Sequence, residues 1–423
     1  MADRGRHSKP KKNAKAEKVI RIDDYRDQET VVEVEYEEED DGEELPQKKV
    51  PKAVYRIAVI LIVLVLALTL WLNRGSLTPG GILSWAKLQI MGEEVGEGFP
   101  VTITGTEVLP ANFASADGSV LSLSNTALTV IDRSGREQLS LSHGFSQPVM
   151  RIAGEKILLY NQGGVAYMLL SSYETSLNAA ADSDILTGAV AANGRYALGL
   201  QGTDGSSELE VYQPNGDLQY RYRFSQDYIT AVALNDTATR GMVCTVRSRQ
   251  GQMISKITVL DFSNEEPLAT WEAPENLLLD AAWTVGGTLY AIGDGSVFVC
   301  DDSSYTFNEY SYAGRNLTAY AFFQNRAFVA VSAYQYGGSG TVQVYHGAGE
   351  PLEIELEGRP AALSVSGSSV GALTDGTVIL SDYLNGRQTA RADAGSDAKG
   401  IALFSESEAY ILGASEIRTV KAE

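Results

Sequence analysis

The sequence predicts an all-β fold: a β-propeller, with eight blades favoured over seven, that follows one transmembrane helix and a disordered charged N-terminal tail. Three observations lead to this prediction: a long uncharged apolar segment, many short strand-like segments separated by turns, and one strand pattern that recurs about every 41 residues. The predicted boundaries are 1–52 for the tail, 53–72 for the transmembrane helix, 73–98 for a juxtamembrane stalk and 99–423 for the propeller.

Charge changes sign along the predicted tail. Basic side chains are frequent up to Arg21, whereas acidic side chains are nearly continuous from Glu37 to Glu44. Few large apolar residues accompany them, so we expect a disordered tail, and a solvated segment is favoured over one with a specific partner. The whole chain has 54 Asp and Glu against 34 Lys and Arg. This excess argues against nucleic acid as a partner, because phosphates favour basic surfaces.

The segment from Ile57 to Leu72 contains no charged residue. Counted from Ala53, it is long enough for roughly 30 Å of helix, which spans a hydrocarbon core. The alternative is a cleavable signal peptide. However, the preceding basic tail is far longer than a normal n-region, and no small-residue cleavage site follows, so an uncleaved signal-anchor is favoured.

The orientation of this helix follows from its flanking cations. Only Arg74 and the more distant Lys87 follow the helix, whereas four cations precede it: Lys48, Lys49, Lys52 and Arg56. The positive-inside rule then predicts a single-pass protein of the cell membrane, with a cytoplasmic N-terminus and an extracytoplasmic C-terminal domain.

Two cysteines, Cys244 and Cys300, fall in the predicted extracytoplasmic part. An oxidising compartment permits a disulfide there, yet two cysteines do not make a disulfide scaffold. Cys244 is predicted in an inner strand of one blade and Cys300 at the end of a strand in the next. Two separate buried thiols are therefore favoured over a bridge.

The recurring strand alternates β-branched and polar residues and often ends at an acid or a turn. The first apolar positions of its copies are Leu128, Val165, Leu209, Ile257, Val297, Val342, Val378 and Ile417. Their average separation of about 41 residues matches a four-stranded propeller blade. Asn-Gly and Asp-Gly pairs nearby, such as Asn215-Gly216 and Asp375-Gly376, are typical of tight hairpins.

The ends of the propeller sequence suggest how the ring closes. The blade that contains the eighth copy, at Ile417, is predicted to have only two strands of its own, and residues 100–114 are predicted to supply two more, around Val101–Thr104 and Val108–Ala114. We expect these four strands to complete the last blade, which would leave no open sheet edge.

The sequence resembles a domain-of-unknown-function family of bacterial membrane-anchored propellers. The resemblance rests on the tail, the single helix, Gly98-Phe99-Pro100 and blades such as the one with Gly163-Gly164-Val165. The resemblance implies this architecture and no activity. Other propeller families fit poorly: no Trp is followed by Asp as in WD repeats, and Thr187-Gly188 lacks the Trp that closes blades in pyrroloquinoline-quinone dehydrogenases.

Few residues suggest catalysis. The predicted extracytoplasmic part has only His143 and His346, in separate blades, and the carboxylate pairs Asp182/Asp184 and Asp301/Asp302 lack the ligand series of a calcium loop. We therefore predict no cofactor, no metal site and no catalytic residues. An enzyme remains the alternative: a glycan-processing enzyme with loop carboxylates in the propeller funnel.

Tyrosine is the unusual feature, with 21 copies in the chain. The pairs Tyr220/Tyr222 and Tyr334/Tyr336 alternate with other residues, which places each pair on one face of a strand. Tyr is an anchor of protein interfaces and stacks on sugars, so these four residues are the candidate binding site of a module that presents its surface to an envelope protein or a cell-wall glycan. The alternative is that they cover half-buried outer strands.

Overall fold

The computed structural model describes residues 98–423, and all regular secondary structure in this range is β-strand. The predicted tail, the transmembrane helix at 53–72 and nearly all of the stalk lie outside the described residues. Within residues 98–423, no helix is long and apolar enough to span a membrane.

Thirty-two strands form eight antiparallel four-stranded sheets, the blades. The first strand in the chain, β1 (Val101–Thr102), belongs to blade 8. Blades 1 and 2 contain β2 (Val108–Ala116), β3 (Ser119–Ser124), β4 (Ala127–Ile131), β5 (Glu137–Ser142), and β6 (Pro148–Ala153), β7 (Lys156–Asn161), β8 (Ala166–Ser171), β9 (Glu174–Ala180). Blades 3 and 4 contain β10 (Ile185–Val190), β11 (Tyr196–Gln201), β12 (Ser207–Tyr212), β13 (Leu218–Phe224), and β14 (Tyr228–Leu234), β15 (Arg240–Arg249), β16 (Gln252–Asp261), β17 (Ala269–Pro274).

The second half of the ring repeats this order. Blades 5 and 6 contain β18 (Leu278–Trp283), β19 (Thr288–Gly293), β20 (Ser296–Asp301), β21 (Asn308–Ser311), and β22 (Asn316–Phe323), β23 (Arg326–Ser332), β24 (Gly340–Tyr345), β25 (Leu352–Leu356). Blade 7 contains β26 (Pro360–Ser366), β27 (Ser369–Thr374), β28 (Thr377–Asp382) and β29 (Arg387–Asp393). Blade 8 contains β30 (Gly400–Leu403), β31 (Glu408–Leu412), β32 (Glu416–Lys421) and β1.

The predicted repeat corresponds to one strand of each blade. Seven of its marker positions lie in the third strand of a blade, from Leu128 in β4 to Ile417 in β32, and Val165 directly precedes the third strand β8. The prediction of eight blades is therefore confirmed.

Eight hydrophobic clusters hold the ring together, each between two consecutive blades. In β11, Tyr196, Leu198 and Leu200 belong to the cluster shared with blade 2, whereas Ala197 belongs to the one shared with blade 4. Successive side chains of a strand point to opposite faces, and both faces are packed. This explains why the inner strands are almost continuously apolar in sequence.

The ring closes differently from the prediction. Blade 8 takes three strands, not two, from the C-terminal end, and only β1 comes from the N-terminal side. The segment from Val108 instead forms β2, the innermost strand of blade 1, because the turn at Asp117 and Gly118 pairs it with β3. Both turn residues have positive φ, of 50° and 79°, as a tight hairpin requires.

The antiparallel order of strands gives the ring two faces. We define the upper face by the loops between second and third strands and by the connections between blades, and the lower face by the remaining loops. Gly98 lies on the lower face, where its amide donates to the Ser134 carbonyl in the β4–β5 loop over 3.0 Å. The described residues therefore begin at the lower face.

Both cysteines are free, buried thiols. Cys244 lies in β15 and Cys300 in β20, and both belong to the hydrophobic cluster between blades 4 and 5. Burial and the nearby Asp301 raise the pKa of Cys300 to about 12, and burial likewise raises the pKa of Cys244.

We expect neither thiol to react with iodoacetamide in the folded protein at neutral pH, because the thiolate is the reactive form. After unfolding without reductant, mass spectrometry should find both Cys244 and Cys300 alkylated. A disulfide-linked peptide that joins the two residues would contradict the structure of blades 4 and 5.

Candidate functional surface

The first predicted tyrosine pair, Tyr220 and Tyr222, lies on β13, the outermost strand of blade 3. Both side chains pack against the cluster between blades 3 and 4. The ring of Tyr220 lies 5.0 Å from that of Phe262, and the ring of Tyr222 lies 4.9 Å from that of Phe224. Burial raises the pKa of Tyr220 to about 12. The rings of this pair therefore cover the outer strand of the blade. This is the alternative to a binding site that the sequence analysis gives.

The second pair, Tyr334 and Tyr336, is in a different environment. Both residues lie in the loop 333–339 between β23 and β24, so their predicted position on one face of a strand is wrong. The reason is local: Gly337 and Gly338 have φ of 91° and 89°, which a regular strand does not accommodate. Their exposed fractions are 69% and 87%, the latter being the highest among the large apolar residues of 98–423.

The loop 333–339 is held in place by its own contacts. The Ser332 hydroxyl donates to the Gly337 carbonyl over 3.0 Å. The ring of Tyr334 lies so close to the Gly338 backbone that a Cβ atom there would come within 2.9 Å of it. At seven residues, it is the longest connection between a second and a third strand in the described ring. These two contacts tie back the loop that presents the tyrosines, which reduces the entropy lost on binding.

Other exposed side chains share the upper face with this loop. Tyr228 and Leu279 lie at the upper ends of β14 and β18, and each is 40% exposed. Arg249 is exposed at the tip of the β15–β16 hairpin, whose ten-residue strands are the longest in the ring. We call this surface over blades 4, 5 and 6 the upper arc: Tyr228, Arg249, Leu279, Tyr334 and Tyr336.

Exposed large apolar residues elsewhere are aliphatic except for Trp271, which is 38% exposed on β17, the outermost strand of blade 4. The upper face over blades 1 and 2 exposes Leu109 and Val165. The lower face and its edge expose five: Leu218, Leu268, Val285, Leu352 and Leu384. Because Tyr and Arg dominate binding hot spots whereas Leu and Val are under-represented there, the upper arc is the better candidate for a binding surface.

Carboxylates are scarce on the channel wall. The eight innermost strands carry a single one, Asp280 on β18. A glycosidase needs two carboxyl groups about 5–10 Å apart. A second acid for the hydrolase alternative would therefore have to come from a loop.

Two of the other polar residues considered in the sequence, His143 and Asp301, form hydrogen bonds with nearby residues. His143 bonds the Ser124 carbonyl through Nε2 and accepts from the Phe145 amide through Nδ1. The Asp301 carboxylate accepts hydrogen bonds from Ser303 and Ser304 in the turn after β20, and these bonds lower its pKa. Within residues 98–423, no group of three or more His, Cys, Asp and Glu side chains is arranged to hold a metal ion.

Sequence reasoning missed three members of the upper arc. Arg249 had a signal, because the step from Leu209 to Ile257 is the longest in the repeat and indicates an extended hairpin in blade 4. Tyr228 and Leu279 had none, since each is a single apolar residue at the start of an ordinary strand. Only the ring brings them to the same face as Tyr334 and Tyr336.

Solved structures with a similar fold include a designed protein, a yeast protein and a bacterial enzyme. The chain is 18% identical to the computationally designed Ika8 protein, with a TM-score of 0.55 over 78% of this chain and 100% of that one. Saccharomyces cerevisiae Sqt1 gives 10% identity and a TM-score of 0.55 over 77% and 99%. A quinohemoprotein alcohol dehydrogenase from Pseudomonas putida HK5 gives 10% identity and 0.53 over 77% and 76%. At such identities, the similarity concerns the fold alone.

A family model matches the described part of the chain almost end to end. Its match covers residues 101–421, from the first residue of β1 to the last residue of β32. No curated protein matches the sequence. The chain therefore belongs to the family of unknown function DUF5711, and its described part is an eight-bladed β-propeller.

Proposed function

We propose that this protein is a membrane-anchored extracytoplasmic binding or scaffold module whose upper arc binds an envelope protein. The exposure of Tyr334 and Tyr336 on an ordered loop is the observation that carries the proposal. Aromatic side chains that are both exposed and held in place lose little conformational freedom when a partner covers them.

A protein partner suits the extent of the surface. The upper arc spans three successive blades, and stable protein interfaces involve about 20–30 residues on each side. A glycan chain would contact a narrower surface, so we propose a protein and treat a glycan as an outcome that the experiment can reveal.

The anchoring part of the proposal rests on the sequence. The apolar segment 53–72 and its flanking cations support a cytoplasmic N-terminus and an extracytoplasmic propeller. Gly98 enters at the lower face, so a partner on the upper arc would bind opposite the attachment point.

Replacing both Tyr334 and Tyr336 with Ser should abolish capture of the partner. A hot-spot aromatic contributes about 2 kcal/mol or more, so losing two should weaken affinity by roughly a hundredfold or more. The melting temperature should stay unchanged, because exposed side chains contribute little to folding. The measurement combines thermal melting with crosslinking capture from the native membrane and identification of captured proteins.

The matched control is the variant with Ser at Tyr220 and Tyr222. These rings are packed against the blade 3–4 cluster, so this variant should lose about 1–3 kcal/mol of stability per ring and retain capture when folded. If the Tyr334/Tyr336 variant captures the same proteins as the wild type, the upper arc is not the binding surface.

The anchoring proposal predicts the outcome of protease treatment. Proteinase K added to cells without their wall should cut exposed propeller loops such as 333–339 and leave the N-terminal tail intact. A protected propeller with a degraded tail would reverse the proposed orientation.

A further inference from the structure

The innermost strands of the eight blades surround the central channel, and these strands contain only two charged residues. Among β2, β6, β10, β14, β18, β22, β26 and β30, the only cation is Arg151 on β6 and the only carboxylate is Asp280 on β18. The innermost strands thus carry one charge of each sign among otherwise uncharged residues. Binding of a partner to the upper arc does not require these two charges.

Asp280 is held in place by a neighbouring blade. The Tyr320 hydroxyl, from β22, donates to its Oδ2 over 3.2 Å, and its Oδ1 accepts from the Ala281 amide over 2.8 Å. Burial raises the pKa of Tyr320 well above its usual range, so this hydroxyl stays protonated as a donor. Each carboxylate oxygen retains a lone pair that can accept a further hydrogen bond.

Arg151 lies on β6 of blade 2, on the other side of the channel from this pair. Burial lowers its pKa, but the nearby Tyr160, Asp280 and Tyr320 more than offset this and raise it. Blades 2 and 6 are opposite in an eight-bladed ring, so β6 and β22 line opposite sides of the channel.

The guanidinium of Arg151 nevertheless has no direct anionic partner in the described ring. Its hydrogen bond is a long one, 3.5 Å from Nη1 to the Met150 carbonyl of its own strand. Arg151 and Asp280 thus lie on different sides of the channel, and no ion pair joins them in the described ring. Arg usually pairs with a carboxylate or phosphate through two parallel hydrogen bonds, and here its donors are free to do so.

The entrance above these charges is apolar. In β2 the pairing jumps from Val108–Ser124 to Phe113–Ser122, so the intervening segment Leu109-Pro110-Ala111 bulges out of the blade and is exposed. The buried Asn112 anchors this bulge, because its side chain donates to the Pro148 carbonyl and accepts from the Met150 amide. Across the ring, a register shift in β18 leaves Leu279 exposed directly before Asp280.

We propose that the channel binds a small zwitterion of the amino-acid type, with its carboxylate on Arg151 and its ammonium group on Asp280. An anion alone would be repelled by Asp280 and a cation alone by Arg151, whereas a ligand with both charges satisfies both sides. The two charged residues of this site do not belong to the upper arc, although Leu279 of the upper arc directly precedes Asp280, and the proposal does not depend on the proposed partner.

Isothermal titration calorimetry on the full-length protein in detergent tests this site. The probes are ω-amino acids of increasing charge separation: glycine, β-alanine, 4-aminobutyrate and 6-aminohexanoate, with acetate and methylammonium as single-charge controls. At least one ω-amino acid should bind saturably, and more than tenfold more tightly than acetate or methylammonium. R151M and D280N should each weaken its binding at least tenfold, and Y320F by a smaller factor.

R391M is the matched control, because Arg391 forms an exposed ion pair with Glu357 on the outer edge of the ring. It should bind the probe as the wild type does. If R151M or D280N does not fold, R151K and Y320F keep the test valid, since both retain the charges of the channel. No saturable binding of any ω-amino acid, or equal binding by acetate or by R151K and Y320F, overturns the proposal.

Discussion

Replacing Tyr410 with Ala is expected to lower the free energy of unfolding by about 3–5 kcal/mol, the usual cost of removing a buried aromatic side chain. Tyr410 is fully buried in the cluster that joins blade 8 to blade 1. Its ring lies 5.3 Å from that of Phe99 and 4.4 Å from that of Phe404. Its hydroxyl donates to the Gly118 carbonyl of blade 1 over 2.6 Å. Urea denaturation followed by fluorescence measures the loss.

Two further variants separate the parts of this effect. Y410F keeps the ring and removes the hydroxyl, so it should lose only about 1–3 kcal/mol, because the Gly118 carbonyl is left without its donor. Y336A removes an exposed tyrosine and should leave the stability unchanged. If Y410A were as stable as Y336A, the junction between blades 8 and 1 would not be packed as described.

Replacing Asp227 with Ala is the second change with a large expected effect. Asp227 is buried at the connection between blades 3 and 4, where its carboxylate lies 2.5 Å from Lys256 Nζ and 3.6 Å from Arg247 Nη1. Its removal leaves two cations near the protein interior without this anion, which typically costs about 3–5 kcal/mol. Urea denaturation again provides the measurement.

Asp204 supplies the control for this charge effect. It pairs with Arg223 over 3.1 Å on the surface, and the two side chains are 68% and 56% exposed. D204A should therefore lose less than about 1 kcal/mol, as exposed ion pairs do. Equal losses in D227A and D204A would show that burial does not strengthen the Asp227 pair.

The blade count was predictable because one physical pattern recurs. Third strands such as β16 (Gln252–Asp261) and β28 (Thr377–Asp382) alternate similar residues, and Asp-Gly turns such as Asp375-Gly376 join a second strand to the third. Packing on both faces imposes this composition on every blade, so the repeat survives large changes in sequence. The family match over residues 101–421 agrees with this.

The closure of the ring was less predictable because its strands are short. β30 has four residues and β1 has two, which is too little for a period-two pattern to be recognised. In the absence of such a pattern, the sequence favours placing Val108–Ala114 in the last blade, whereas the local turn at Asp117-Gly118 pairs it with β3.

The candidate sites were the least predictable part. Tyr220/Tyr222 and Tyr334/Tyr336 have the same alternating pattern in sequence, yet one pair packs on a blade and the other projects from a loop. The difference depends on Gly337 and Gly338, which follow Tyr336. Their positive φ angles are not compatible with a regular strand. Arg151 and Asp280 lie three blades apart, so only the closed ring places them across one channel.

The central claim, that the upper arc is the binding surface, can be tested directly by site-specific photo-crosslinking in living cells. p-Benzoylphenylalanine is placed either at Tyr336 on the upper face or at Leu384 on the lower face, two positions with exposed fractions of 87% and 61%. We predict one defined crosslinked product from position 336 and none in common with position 384. A product from position 384 alone, or the same product from both positions, would contradict the assignment of the upper arc.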